Sequence, residues 1–247
     1  MSLDIAHMWH EMPGLVRMVV AVLLIQATLS IAVVIDRVAL LIRSSLRSRE
    51  FAKRVGPALE EGRFEDALDI ASKSHGSHLA SYMYVGIRTF LDRRFEGKSL
   101  DKSATLTERA LERHGEAVSE NLNKGMNILA STGSTAPFVG LLGTVLGILF
   151  AFKMIAETGS GGIATIGGAI GEALVVTGLG LVVAIPTVLL FNWLSNKIGN
   201  FEAGLANAAG ELVDRLEAGD AGASVRTVES DDSKGEPKRA RLEAATA

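Results

Sequence analysis

Glu172, Thr144 and Thr177 are the residues of this 247-residue chain whose types and spacing suit proton chemistry. Glu172 is the single formal charge in "GGAIGEALVVTGLGLVVAIPTVLLFNWL", residues 167–194. It falls about ten residues into an apolar run that begins at Ile163, roughly 15 Å along a helix, and so near the middle of a bilayer. A charged side chain facing lipid at that depth costs about 2.5–3.5 kcal/mol on translocon scales, so this one must face protein or water. Desolvation favours the neutral form of any carboxyl group, and such a group can trade a proton near physiological pH. Thr177 follows five residues later, about 140° further round the helix, and Thr144 lies at comparable depth in an earlier apolar run. Alone, each hydroxyl is explained by a bond to its own i−4 carbonyl. With Glu172, the two could hold a short file of water, a proton wire. The bland alternative for Glu172 is a protonated carboxyl group hydrogen-bonded between helices as a packing device.

Three apolar runs are long enough to position these residues across a bilayer, which takes about 20 residues of helix. Met18 to Ile35 carries no charge, nor does Ile128 to Phe152, and the third runs from Ile163 to about Leu194 with Glu172 as its interruption. The first exceeds the h-region of a signal peptide and has no A-x-A site before the basic residues that follow, so it is read as a retained span. Small residues recur every three or four positions in the second run (Gly133, Ala136, Gly140, Thr144, Gly147, Ala151) and in the third (Ala169, Ala173, Gly180, Ala184). Such stripes let helix backbones approach closely in lipid. They predict a tight bundle, with Gly140, Gly147, Ala173 and Gly180 as packing positions.

The fold class is therefore all-α, an integral membrane protein with three transmembrane helices. Basic residues give its orientation: only Arg17 precedes the first span, whereas Arg37, Arg43, Arg47, Arg49, Lys53 and Arg54 follow it. This places the N-terminus, 1–17, outside and the first span at 18–42. A cytoplasmic helical domain follows at 43–127, then the second span at 128–155, an outer loop at 156–162 and the third span at 163–194. A cytoplasmic helical extension at 195–219 completes the ordered part. The cytoplasmic domain reads as a helical hairpin broken at Gly56-Pro57 and at "SHGSH", followed by a polar helix from Leu100 that can run straight into the second span. From about Asp220 the composition has too little apolar content to pack and predicts a disordered tail, 220–247.

Other motifs carry less. "GLLGTVLG" lacks the Gly-Lys-Ser/Thr of a P-loop. His75 and His78 have no adjacent carboxylate or cysteine to complete a metal shell. Ser131, Thr132, Ser134 and Thr135 surround Pro137, where hydroxyls can satisfy the carbonyl a proline frees; Ser134 and Thr135 are also a possible polar lining. With no cysteine, a net charge of −3 and no basic face interleaved with aromatics, the chain offers no thiolate site and no nucleic-acid surface. No cofactor, metal or catalytic constellation is expected, and the chain does not read as an enzyme.

"GSTAPFVGLLGTVLGI" and "GEALVVTGLGLVVAIPTVLLFN" resemble the two signature spans of the ExbB/TolQ/MotA family, and most closely the ExbB/TolQ pattern. The resemblance is dense over residues 128–194. It departs from the common Pro-Gly-Ile-Ala-Glu-Ala-Leu at Gly168 to Gly171, and has Phe191-Asn192 in place of Tyr-Asn. The resemblance implies a proton-channel subunit of an energy-transduction motor in the bacterial inner membrane. It implies a homopentamer enclosing the single spans of an ExbD/TolR-like dimer, whose aspartate lies near Thr144, Glu172 and Thr177. Protons and membrane lipids complete the expected partners. Two rival readings remain: a membrane scaffold with a packing glutamate, and a small-solute secondary transporter. The absence of internal repeats argues against the transporter.

Overall fold

The structure is a computed structural model that describes residues 12–158 and 163–243, with side-chain surroundings given within 12–157 and 167–219. The described residues form six helices and no strand: α1 Gly14–Glu60, α2 Phe64–Lys73, α3 His78–Phe95, α4 Leu100–Asn123, α5 Met126–Thr158 and α6 Ile163–Glu243. Among them, α1, α5 and α6 contain stretches long and apolar enough to cross a membrane. The expected N-terminal segment and outer loop fall partly outside the described residues.

The chain divides into two units. The first, a membrane unit, takes residues 1–39 and 123–198. Its core packs Val16, Val19, Val20 and Leu23 of α1 with Ala136 of α5 and Val176, Val183 and Ala184 of α6. Leu24, Ile31, Leu141, Leu149, Val182 and Leu189 are exposed, as lipid-facing residues of a bundle must be. The small-residue positions explain how close α5 and α6 come. A Cβ at Gly140 would lie 3.1 Å from the Val176 carbonyl oxygen and 3.2 Å from Gly180 Cα; one at Gly180 would lie 2.6 Å from the Ala136 carbonyl oxygen. One at Gly147 would meet Ala173 Cβ at 2.7 Å.

The second, polar unit takes residues 40–122 and 199–247. Phe51, Val55 and Ala58 of α1, Ala67 and Ala71 of α2, Ile87 and Phe90 of α3, and Leu212 and Leu216 of α6 form its core. Burying each large side chain there contributes about 1.5–3 kcal/mol before ordering costs. On α4, Ser103, Thr107, Leu111, Val118 and Leu122 are buried at three- to four-residue spacing, the stripe of a helix with one face inward.

Three boundaries differ from the sequence expectation. The helix does not break at Gly56-Pro57: α1 continues through Pro57 to Glu60, and the proline forfeits its own N–H bond to the preceding turn. It ends instead at Gly62, φ +70°, with Gly62 N–H donating to Leu59 O at 3.3 Å and Arg63 N–H to Ala58 O at 2.8 Å, a Schellman closure. Nor does α4 run straight into the second span. Gly125, φ +82°, turns the chain between them, and a side chain there would press on Val33 at 3.3 Å. Finally, the α6 backbone is helical through Glu243, past Asp220, where the composition places the start of a disordered tail.

Candidate functional site

α5 and α6 bring Thr144 and Thr177 together in the membrane unit. Their hydroxyl oxygens lie 3.1 Å apart. Thr144, 7% exposed, donates to the Leu141 carbonyl on its own helix at 2.7 Å. Thr177 reaches across to the Gly140 carbonyl at 3.1 Å. That cross-helix bond exists because Gly140 and Gly180 have no Cβ to hold the backbones apart. The two hydroxyls are in direct contact, so the expected water file has no place between them.

Glu172 is partly buried and lines a cavity of about 410 Å³ whose walls are otherwise apolar, with Phe150, Met154 and Ala169 among them. Gly147 and Ala151 of α5 and Met12 and Val16 of α1 share this level. Its lining residues Val16 and Met154 are the chain neighbours of Arg17 and Lys153, toward the end of α5 that leads into the α5–α6 connection. Thr177, five residues after Glu172, is displaced about 7.5 Å along α6 toward the middle of the bundle. Glu172 forms no hydrogen bond with Thr144 or Thr177. The carboxyl group and the hydroxyl pair are separate features of the bundle, not one cluster.

Ser134 and Thr135 do not join this site. Nine residues separate Thr135 from Thr144, about half a turn round the helix after whole turns are removed, and both Ser134 and Thr135 are exposed. Their hydroxyls donate to the Ser131 carbonyl at 3.0 and 2.7 Å, not to the carbonyl of Gly133 that Pro137 frees. Thr135 also accepts from Gln26 Nε2 of α1 at 3.3 Å. Sequence reasoning missed Gln26, although an amide side chain inside the first uncharged run was a visible signal. The Gly140 carbonyl was missed because backbone acceptors leave no mark in residue types. His75 and His78 acquire no third metal ligand among the described residues.

The described residues thus define an all-α membrane protein with three helices long enough to span a bilayer, a glutamate lining a cavity and a partly buried hydroxyl pair between close-packed helices. Residues 81–207, a little over half of the chain, match the MotA/TolQ/ExbB proton channel family, and the chain belongs to that family. It is 44% identical over 123 residues to the biopolymer transport protein ExbB of Xanthomonas campestris pv. campestris, covering 50% of this chain and 48% of that protein. Against ExbB of Pseudomonas putida it is 43% identical over 103 residues, 42% of this chain and 31% of that protein. Against ExbB of Salmonella typhimurium it is 41% identical over 103 residues, 42% of each. The chain thus spans about half or less of the length of these relatives.

Proposed function

We propose that this chain is the proton-channel subunit of an inner-membrane motor that couples the proton motive force to mechanical work on the envelope or outer membrane, in the manner of biopolymer transport. The observation that carries the reading is the Thr144–Thr177–Gly140 hydrogen-bond junction lying one step inward of the Glu172 cavity. In this reading five copies enclose the single spans of an ExbD/TolR-like dimer. The N-terminus faces the periplasm and the polar unit faces the cytoplasm, as the basic residues after the first span favour. Protons arrive from outside at the Glu172 cavity and neutralise a partner aspartate beside the threonine pair. They then leave toward the cytoplasm. Glu172 relays the proton or shapes the local field, while Thr144 and Thr177 supply hydroxyls that can exchange donor and acceptor roles. Each charge crossing releases about 2.3 kcal/mol per 100 mV, enough to bias a step between near-degenerate positions of a twofold rotor in a fivefold ring.

The test is co-purification with a single-span partner encoded beside it, followed by stoichiometry and proton flux in liposomes under an imposed potential. Flux that requires both proteins and disappears in Glu172→Gln supports the reading. A stable complex with no flux, or full flux in Glu172→Gln, rejects it in favour of a packing role for the carboxyl group.

A further inference from the structure

The polar unit holds two half-buried histidines that this pathway does not use. His78 opens α3, and its Nδ1 lies 2.5 Å from the hydroxyl of Ser44 on α1, which is itself 2% exposed. The same oxygen is 3.5 Å from the His78 backbone nitrogen. One turn further along α1, Ser48 meets Ser77 at 3.0 Å. His114 of α4 is held in like manner, its Nε2 lying 2.7 Å from the Ser81 hydroxyl of α3, with its ring edge-on to Tyr82 at 5.1 Å. Phe201 of α6 packs edge-on to His78 at 5.9 Å. Each imidazole thus joins α3 to a different helix through one serine.

Among the described residues neither ring is in an ion pair, and burial is the largest influence on both. The ionisable groups around them are His75 and Arg47, whose Nη1 donates to the His75 carbonyl at 3.4 Å, together with Tyr82, Glu202 and, on α4, Glu108, Glu112 and Glu116, which line one cavity with Tyr82 and Glu202. Glu202 acts on Tyr82, and no carboxylate acts on His78 or His114. Burial holds both imidazoles below the ordinary histidine range, and at His78 the nearby His114 adds to the effect.

We propose that His78 and His114 form a proton-sensitive joint: when neutral they tie α3 to α1 and α4 through Ser44 and Ser81, and protonation of either one loosens the attachment. With the tautomers that leave His78 Nδ1 and His114 Nε2 bare, the serine O–H donates to the ring nitrogen in the neutral joint. A proton from solvent occupies that nitrogen, so the serine oxygen becomes an acceptor and its own hydrogen loses its place. At Ser44 the oxygen then faces two donors, the ring and the His78 backbone N–H. The sign follows from linkage. Above the ordinary histidine range folded and unfolded chains are both neutral and the joint is intact. As pH falls, the unfolded chain takes protons first, and the joint weakens until the pH passes below the depressed folded values. On the orientation proposed above, the joint reads cytoplasmic pH, on the side to which protons are delivered.

Hydrogen exchange on the full chain in detergent tests the joint without any membrane potential, so a silent channel does not obscure the result. After correction for intrinsic exchange, the α3 amides from Tyr82 to Gly86 should lose protection severalfold between about pH 7.5 and about pH 5.5. Amides of α5 should not, and His78→Gln/His114→Gln should remove the response. A wild-type protein with no such loss, or an equal loss in the double variant, overturns the proposal. Should the double variant fail to fold, NMR titration of labelled imidazoles in the wild type decides. Both half-buried rings must titrate below the ordinary histidine range, and midpoints within that range overturn the joint.

Discussion

Thr177 lies 3.1 Å from the hydroxyl of Thr144 and 3.1 Å from the carbonyl of Gly140, while Thr144 directs its own proton to Leu141. One hydroxyl hydrogen therefore serves two acceptors. Whichever bond Thr177 makes, the other acceptor is left ready for a second donor, and moving between them needs only rotation about one side-chain torsion. A packed interface with one mobile hydrogen suits a step in proton transfer. It contributes little to holding the helices together, since interhelical hydrogen bonds in membranes average about 0.6 kcal/mol.

That asymmetry makes the threonines separable from assembly. Thr144→Val and Thr177→Val preserve shape and remove the hydroxyl. Each should lower thermal stability in detergent by no more than about 1–2 kcal/mol. Flux in liposomes should fall about tenfold or more, about 1.4 kcal/mol of barrier. Thr177→Ser, which keeps the hydroxyl, should recover most of the flux. If the double valine variant conducts normally, the junction is packing alone.

Glycine substitutions should rank by what the new methyl group meets. Gly180→Ala places a Cβ 2.6 Å from the Ala136 carbonyl, where backbone must move. Gly140→Ala, at 3.1 Å from the Val176 carbonyl, needs a smaller shift. Overpacking of this kind costs about 1–3 kcal/mol, so Gly180→Ala should be the more destabilised of the two. Gly178, on the same helix with nothing within 4 Å, is the control. Alanine there should be neutral or stabilising by up to about 1 kcal/mol through helix propensity alone. Thermal unfolding of the three variants checks the order, and equal losses at 178 and 180 would remove the close-approach argument.

Glu172→Gln keeps the volume of the side chain in its cavity and abolishes its titration. Proton flux should vanish at every pH tested, while the unfolding midpoint and the copy number of the complex stay as in the wild type. A variant that instead assembles poorly and conducts in proportion to its abundance would assign the carboxyl group to structure.

Much of this arrangement was legible in residue types. Uncharged runs mark the spans, Glu172 marks the cavity by being the charge in one of them, and the small-residue spacing points to the α5–α6 seam. What escaped were properties of the assembled backbone. Nothing in the sequence distinguishes the Gly140 carbonyl from any other, and a periodicity argument cannot tell that Thr144 and Thr177 touch instead of sharing a water. Gly56-Pro57 carries the composition of a break, yet the helix continues through it to Glu60; the true stop is Gly62, which offers the left-handed conformation. His78 and His114, 36 positions apart, read as unrelated polar residues until α3 brings both to neighbouring helices.

The start of α3 gives the sharpest stability test in the polar unit. Ser77 caps the helix in an extended conformation, φ −103° and ψ 118°, its hydroxyl oxygen accepting from Ala80 N–H at 3.0 Å. It is 4% exposed and also bonds Ser48. Ser77→Ala removes the cap and leaves a buried Ser48 hydroxyl without this partner, so the loss should be about 1–3 kcal/mol, above that of an exposed cap. Ser48→Ala removes the second bond but not the cap and should cost about 0.5–1.5 kcal/mol. In the double variant the orphaned hydroxyl is gone as well, so the combined loss should fall short of the sum of the single losses. Strict additivity in chemical unfolding would mean that the two serines do not act together.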